Sequence, residues 1–64
     1  PNADLIALEI KASDHVTKSD FKGLKELKSH AKEHFITGAV LYQGKDIVPF
    51  DDDLWALPID FLWN

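Results

Sequence analysis

Apolar residues fill the stretch LIALEIKA, Leu5 to Ala12, except at Glu9 and Lys11. So short and apolar a run predicts a strand from Leu5 to Lys11. Strand side chains alternate between faces, so Ile6, Leu8 and Ile10 share one side while Leu5, Ala7, Glu9 and Lys11 share the other. At a rise of about 3.3 Å per residue, the Cα atoms of Glu9 and Lys11 stand about 6 to 7 Å apart. The two charges are close enough to share a partner, an ion or a water.

The pattern changes period downstream. Thr17 as N-cap, Asp20 three residues later to answer it, and Val16 against Phe21 as a hydrophobic staple together predict a helix start. From there Phe21, Leu24, Leu27, Ala31 and Phe35 fall within one arc of a helical wheel, a stripe suited to packing on a sheet, with the helix ending near His34. Lys22, Lys25, Lys28 and Lys32 flank that stripe. Gly38 to Tyr42 is short and apolar and predicts a central strand buried on both faces. Gln43-Gly44 then reads as a turn, and Asp46 to Pro49 as a short antiparallel return. Pro49 cannot donate to a ladder, which puts this strand at an edge. Asp51 to Asp53 reads as a solvated loop, and LWALPIDFLWN as a further extended piece with one short helical turn. The order is strand, helix, strand, strand, with the helix as a right-handed crossover between parallel strands and an antiparallel hairpin at the edge, an α/β arrangement.

With 64 residues, the chain can bury only roughly 60% of the surface its unfolded form exposes, a marginal core. It has no cysteine, which excludes disulfides and thiolate metal sites and suits a reducing, cytoplasmic setting. No apolar run approaches the roughly 20 residues of a membrane span, and no signal peptide is visible. Seven lysines and no arginine against eleven carboxylates leave a net charge of −4, which disfavours non-specific attraction to nucleic acid. The chain starts at Pro1 and lacks methionine, so it is expected to be a piece of a longer protein. No phosphate-binding loop of the GxxxxGK type is present.

The stretches ALEIKAS, TKSDFKGLKEL, GAVLYQGKDIVPF and LWALPIDFLW, in this order, resemble the C-terminal domain of unknown function that follows the ATPase domain in many bacterial and archaeal AAA-type ATPases. That domain is similar to members of the restriction-endonuclease-like, or PD-(D/E)xK, superfamily. The resemblance implies a truncated restriction-endonuclease-like α/β core, residues 1–64 being its C-terminal fragment, with the ATPase domain and first core strands absent. It also implies a site in which Glu9 and the main-chain carbonyl of Ile10 hold Mg²⁺ and Lys11 faces the attacking water and the scissile phosphate, while ATP binds only the absent domain. Mg²⁺ takes oxygen ligands, and an amine offsets charge on a phosphate, which is why such sites use these residue types. The expected function is nucleic-acid binding or metal-dependent phosphodiester cleavage in the full protein, with the fragment inactive alone. The alternative is a non-catalytic interaction or assembly module of the ATPase.

The superfamily's first carboxylate lies on the strand before the turn, and Asp4 is the only acid upstream of Glu9. Plainer readings stand beside each candidate. Glu9 and Lys11 also suit a same-face surface pair worth about 0 to 1 kcal/mol. The lysine flank could track a nucleic-acid backbone or simply solvate a helix. Asp51 to Asp53 lacks the spacing of a calcium loop. His30 and His34 have i, i+4 spacing without the glutamate of a zinc-protease motif, and His15 stands apart from them. Trp55, Trp63, Phe50 and Phe61 suit core or interface better than base stacking. Finally, an unpaired opening strand and a small core predict a homodimer, with Leu5, Ala7, Trp55 and Trp63 buried against the second copy.

Overall fold

The computed structural model describes residues 4–62. The chain runs β1 (Leu5–Ile10), a 3₁₀ turn (Lys18–Phe21), α1 (Lys22–Ala31), a second 3₁₀ turn (Lys32–His34), β2 (Phe35–Tyr42), β3 (Val48–Asp51), β4 (Leu54–Pro58) and a last 3₁₀ turn (Ile59–Leu62). The four strands form one sheet in the order β1-β2-β4-β3. β1 and β2 are parallel, as are β2 and β4, while β3 and β4 are antiparallel. This is a small α/β fold with a helical crossover between β1 and β2.

The sheet order corrects the expected hairpin. Asp46 to Pro49 was expected to fold back on the central strand through Gln43-Gly44. Instead β3 pairs with β4, through a turn at Asp52-Asp53, and β4 lies between β2 and β3. Pro49 does sit on an edge strand. The Asp52-Asp53 turn is built into the sheet rather than merely solvated: the Asp53 carbonyl accepts the Gly38 N–H at 2.8 Å and the Thr37 hydroxyl at 3.1 Å. Tyr42 braces the loop after β2 by donating its hydroxyl to the Asp46 carbonyl at 2.7 Å. A Cβ at Gly44 would lie 2.2 Å from the Tyr42 ring, so only glycine fits beneath it.

The helix end is also corrected. α1 stops at Ala31, and Lys32 takes φ 52°, a left-handed value that ends the helix without the glycine such a position favours. Phe35 therefore opens β2 rather than closing the helical stripe. It still reaches the same core, where Ala7, Phe21, Leu24, Phe35, Val40, Tyr42, Leu54 and Ala56 are buried together. Leu27, expected in the stripe, is 39% exposed.

The register shows which sheet face this core occupies. Ala7 pairs with Gly38 and Gly38 with Leu54, and paired residues share a face. On the opposite face Leu8 pairs with Ala39 and Ala39 with Trp55. There Ile6, Leu8, Ile10 and Trp55 are 61%, 56%, 65% and 37% exposed. The helix thus covers one face, while on the other Ala39 and Leu41 of the central strand are buried and Ile6, Leu8, Ile10 and Trp55 around them stay exposed. No helix among the described residues is long and apolar enough to cross a membrane.

Candidate functional site

The site begins with strand alternation. Glu9 follows Leu5 and Ala7 on the helix-covered face of β1, and Lys11 comes just after the strand, its N–H still bonded to the Leu41 carbonyl at 2.8 Å. In a parallel ladder, alternate residues turn both main-chain groups toward the neighbouring strand. Lys11 turns toward β2, so Ile10 directs its N–H and carbonyl to the open edge of β1.

The helix start forms the other wall. The Asp20 carboxylate accepts the Thr17 N–H at 2.7 Å and the Thr17 hydroxyl at 3.2 Å, and the Asp20 N–H donates to the Thr17 carbonyl at 3.0 Å. This is the expected capping arrangement, with Phe21 and Val16 packed into the core behind it. The same Asp20 Oδ2 accepts a hydrogen bond from Lys11 Nζ and forms an ion pair with it, the side chains being 28% (Lys11) and 20% (Asp20) exposed. The Lys11 hydrogen bond, followed by the Thr17 N–H, holds the Asp20 carboxyl below the usual aspartate range. A Cβ at Gly23 in the first turn of α1 would lie 3.8 Å from Glu9 Oε1, so the helix passes close to the glutamate.

Glu9, Ile10, Lys11, Asp20, Gly23 and Val40 line one polar cleft of about 280 Å³. The predicted pair therefore meets in one place. Asp20, read from sequence as a cap alone, is the residue that sequence reasoning missed. Its capping motif was visible, but its contact with Lys11 spans nine positions and a change of element. Among the described residues the Glu9 side chain forms no ion pair or hydrogen bond.

Other candidates fall elsewhere. Asp4 is exposed at the far end of β1, about 16 Å along the strand from Glu9, so it cannot share a ligand with it. Lys28 pairs with Asp53 at 3.4 Å, and the Lys25 amine lies 5.4 Å from the Phe50 ring centroid, so half of the lysine flank serves the fold. Phe50 stacks on Phe21 at 4.1 Å. Phe61 is 55% exposed. His34 lies in the 3₁₀ turn beyond the helix that carries His30, and the His15 imidazole lies 3.5 Å from the Asp14 carboxylate while its N–H donates to Ser13 Oγ at 3.1 Å. Trp63 lies outside the described residues.

The donor set can be tested against Mg²⁺. The Glu9 carboxylate and Ile10 carbonyl are oxygen donors of the kind the ion takes. No group of three or more histidine or acidic side chains comes together among the described residues, and Asp20 is already bound to Lys11 and Thr17. This set is too small for the described residues to hold the ion by themselves.

The fold and site define an α/β domain with an open sheet edge, where a free carboxylate and a paired amine share a cleft under a helix start. Residues 1–62 match a family described as a domain of unknown function, DUF4143, and the chain belongs to that family. Comparisons with curated proteins and with solved structures found no match.

Proposed function

We propose that the chain is the Glu-x-Lys portion of a restriction-endonuclease-like domain in a longer, cytoplasmic AAA-type ATPase, contributing to nucleic-acid binding or Mg²⁺-dependent phosphodiester cleavage there and inactive alone. The observation that carries this reading is the convergence of the Glu9 side chain, the Ile10 carbonyl edge and Lys11 on one cleft. Glu9 has the chemistry to add a carboxylate oxygen to a metal site completed elsewhere. Lys11 has the chemistry to meet a phosphate oxygen.

The test compares the isolated chain with the longer protein. The chain alone should not nick plasmid DNA with Mg²⁺ or Mn²⁺. In the longer protein, Glu9→Gln should weaken Mn²⁺ binding by calorimetry while leaving the melting temperature unchanged, because the exposed position tolerates an amide. Metal-dependent nicking by the pure chain, abolished by Glu9→Ala, would show that the fragment is itself active. Unchanged Mn²⁺ affinity in the longer protein would overturn the metal site.

The sheet face opposite the helix favours a second reading, a non-catalytic assembly module that pairs with a second copy of itself. Ile6, Leu8, Ile10 and Trp55 expose large apolar side chains on this one face, the kind of grouping from which interaction surfaces are built. Their strand neighbours across this face, Thr37, Ala39, Leu41 and Leu57, carry no charge either. A chain of net charge −4 can meet its own copy through this face without opposing like charges. The contact residues of this reading differ from those expected from sequence. Leu5 and Ala7 lie on the helix-covered face, where Ala7 is buried, opposite to Trp55.

A further inference from the structure

The Lys11 amine, assigned above to a phosphate oxygen, is already matched by an anion in the free domain. Its partner is Asp20, from the helix start, and not Glu9, its neighbour on the strand face. Asp20 is the fixed member of the pair, a short side chain whose Oδ2 is held by the Thr17 N–H and hydroxyl. Lys11 is the movable member, with a four-carbon stem and three rotatable donors.

We propose that Asp20 is a positioning residue that serves as an internal stand-in for phosphate: its carboxylate occupies the place beside Lys11 that a phosphate oxygen takes, and an incoming phosphoryl group must displace it. This rests on the reading of Lys11 as phosphate-facing. Both walls of the cleft are shared by the stand-in and the ligand, since Lys11 and Asp20 line the same 280 Å³ space as Glu9. Two consequences follow from charge alone. Lys11 is kept from pairing with Glu9, which leaves that carboxylate open, and the resting cleft, with two carboxylates against one amine, shows a phosphate net negative charge. A nucleic-acid backbone and free phosphate share the recognised chemistry, a tetrahedral phosphoryl oxygen.

The variant that isolates the idea is Asp20→Asn, because the amide oxygen still accepts the Thr17 N–H while the charge is gone. Inorganic phosphate and, separately, a short DNA duplex are titrated into the chain, following the amides of residues 9–11 by NMR. Asp20→Asn is expected to bind phosphate about fivefold more tightly than wild type, the scale of losing one partly exposed ion pair. Adding Lys11→Gln should abolish the gain. A purely structural role for Asp20 would leave affinity unchanged or lower it. A gain with both probes indicates backbone recognition, and a gain with phosphate alone indicates a free-phosphate site. If wild type binds phosphate through Lys11 but Asp20→Asn gives no gain, the stand-in is overturned and the phosphate-facing lysine survives. If neither protein shows Lys11-dependent binding to either probe, both readings fall.

Discussion

Asp20 meets two demands with one oxygen: it closes the helix start at Thr17 and neutralises the lysine at the end of β1. Both donors favour the charged form, which is why its carboxyl titrates below the usual aspartate range. The sign of the effect on stability follows. A carboxyl whose folded pKa lies below its unfolded value stabilises fully above that unfolded value, near pH 4, and loses the contribution as pH falls through the folded value. Wild type should therefore lose melting temperature below about pH 4 more steeply than Asp20→Asn does. Parallel melting curves for the two proteins, followed by circular dichroism, would show that Asp20 contributes no such dependence.

The helix rests on β1 and β2, and beneath it Gly38 pairs with Ala7 on one side and Leu54 on the other. A Cβ there would come within 2.9 Å of Phe35 Cζ, 3.1 Å of Leu54 Cδ2 and 3.5 Å of Leu24 Cδ2. Gly38→Ala should thus overpack the layer and cost about 1 to 3 kcal/mol, read as a lower urea midpoint with unchanged slope. An unaltered midpoint would mean that the three side chains move aside freely. At this scale much was legible in the sequence. The alternation in β1, the capping residues Thr17 and Asp20 and the edge character of Pro49 each reflect local chemistry that leaves a local mark. The partner of β3 did not, because its residues suit an edge beside either β2 or β4, and Gln43-Gly44 resembles a tight turn. The helix end was hidden because Lys32 takes a left-handed conformation that its residue type does not advertise. In the site, spacing put Glu9 and Lys11 on one face and only the family resemblance implied roles for them, whereas the Lys11–Asp20 pair exists only once strand and helix are packed.

For the molecule as a whole, the uncovered face of the sheet is the largest unmet demand, since parallel strands usually bury both faces. If a second copy covers it, sedimentation should show a concentration-dependent dimer, and Leu8→Lys should weaken the association by about tenfold or more. A folded chain that stays monomeric at every concentration would rule out this pairing. The strand order carries a consequence of another kind, in the timing of folding. Among the described strands β4 comes after the other three in sequence but lies inside the sheet. Until Leu54 to Pro58 is available, β2 has only β1 beside it and β3 has no partner, so β3 cannot settle on the strand made before it. On a ribosome, then, the sheet is completed late: β1 and β2 can pair as soon as both have emerged, but one edge of β2 stays open and β3 stays unpaired until Leu54 to Pro58 follows, and this interval is when a holding chaperone would find most to bind.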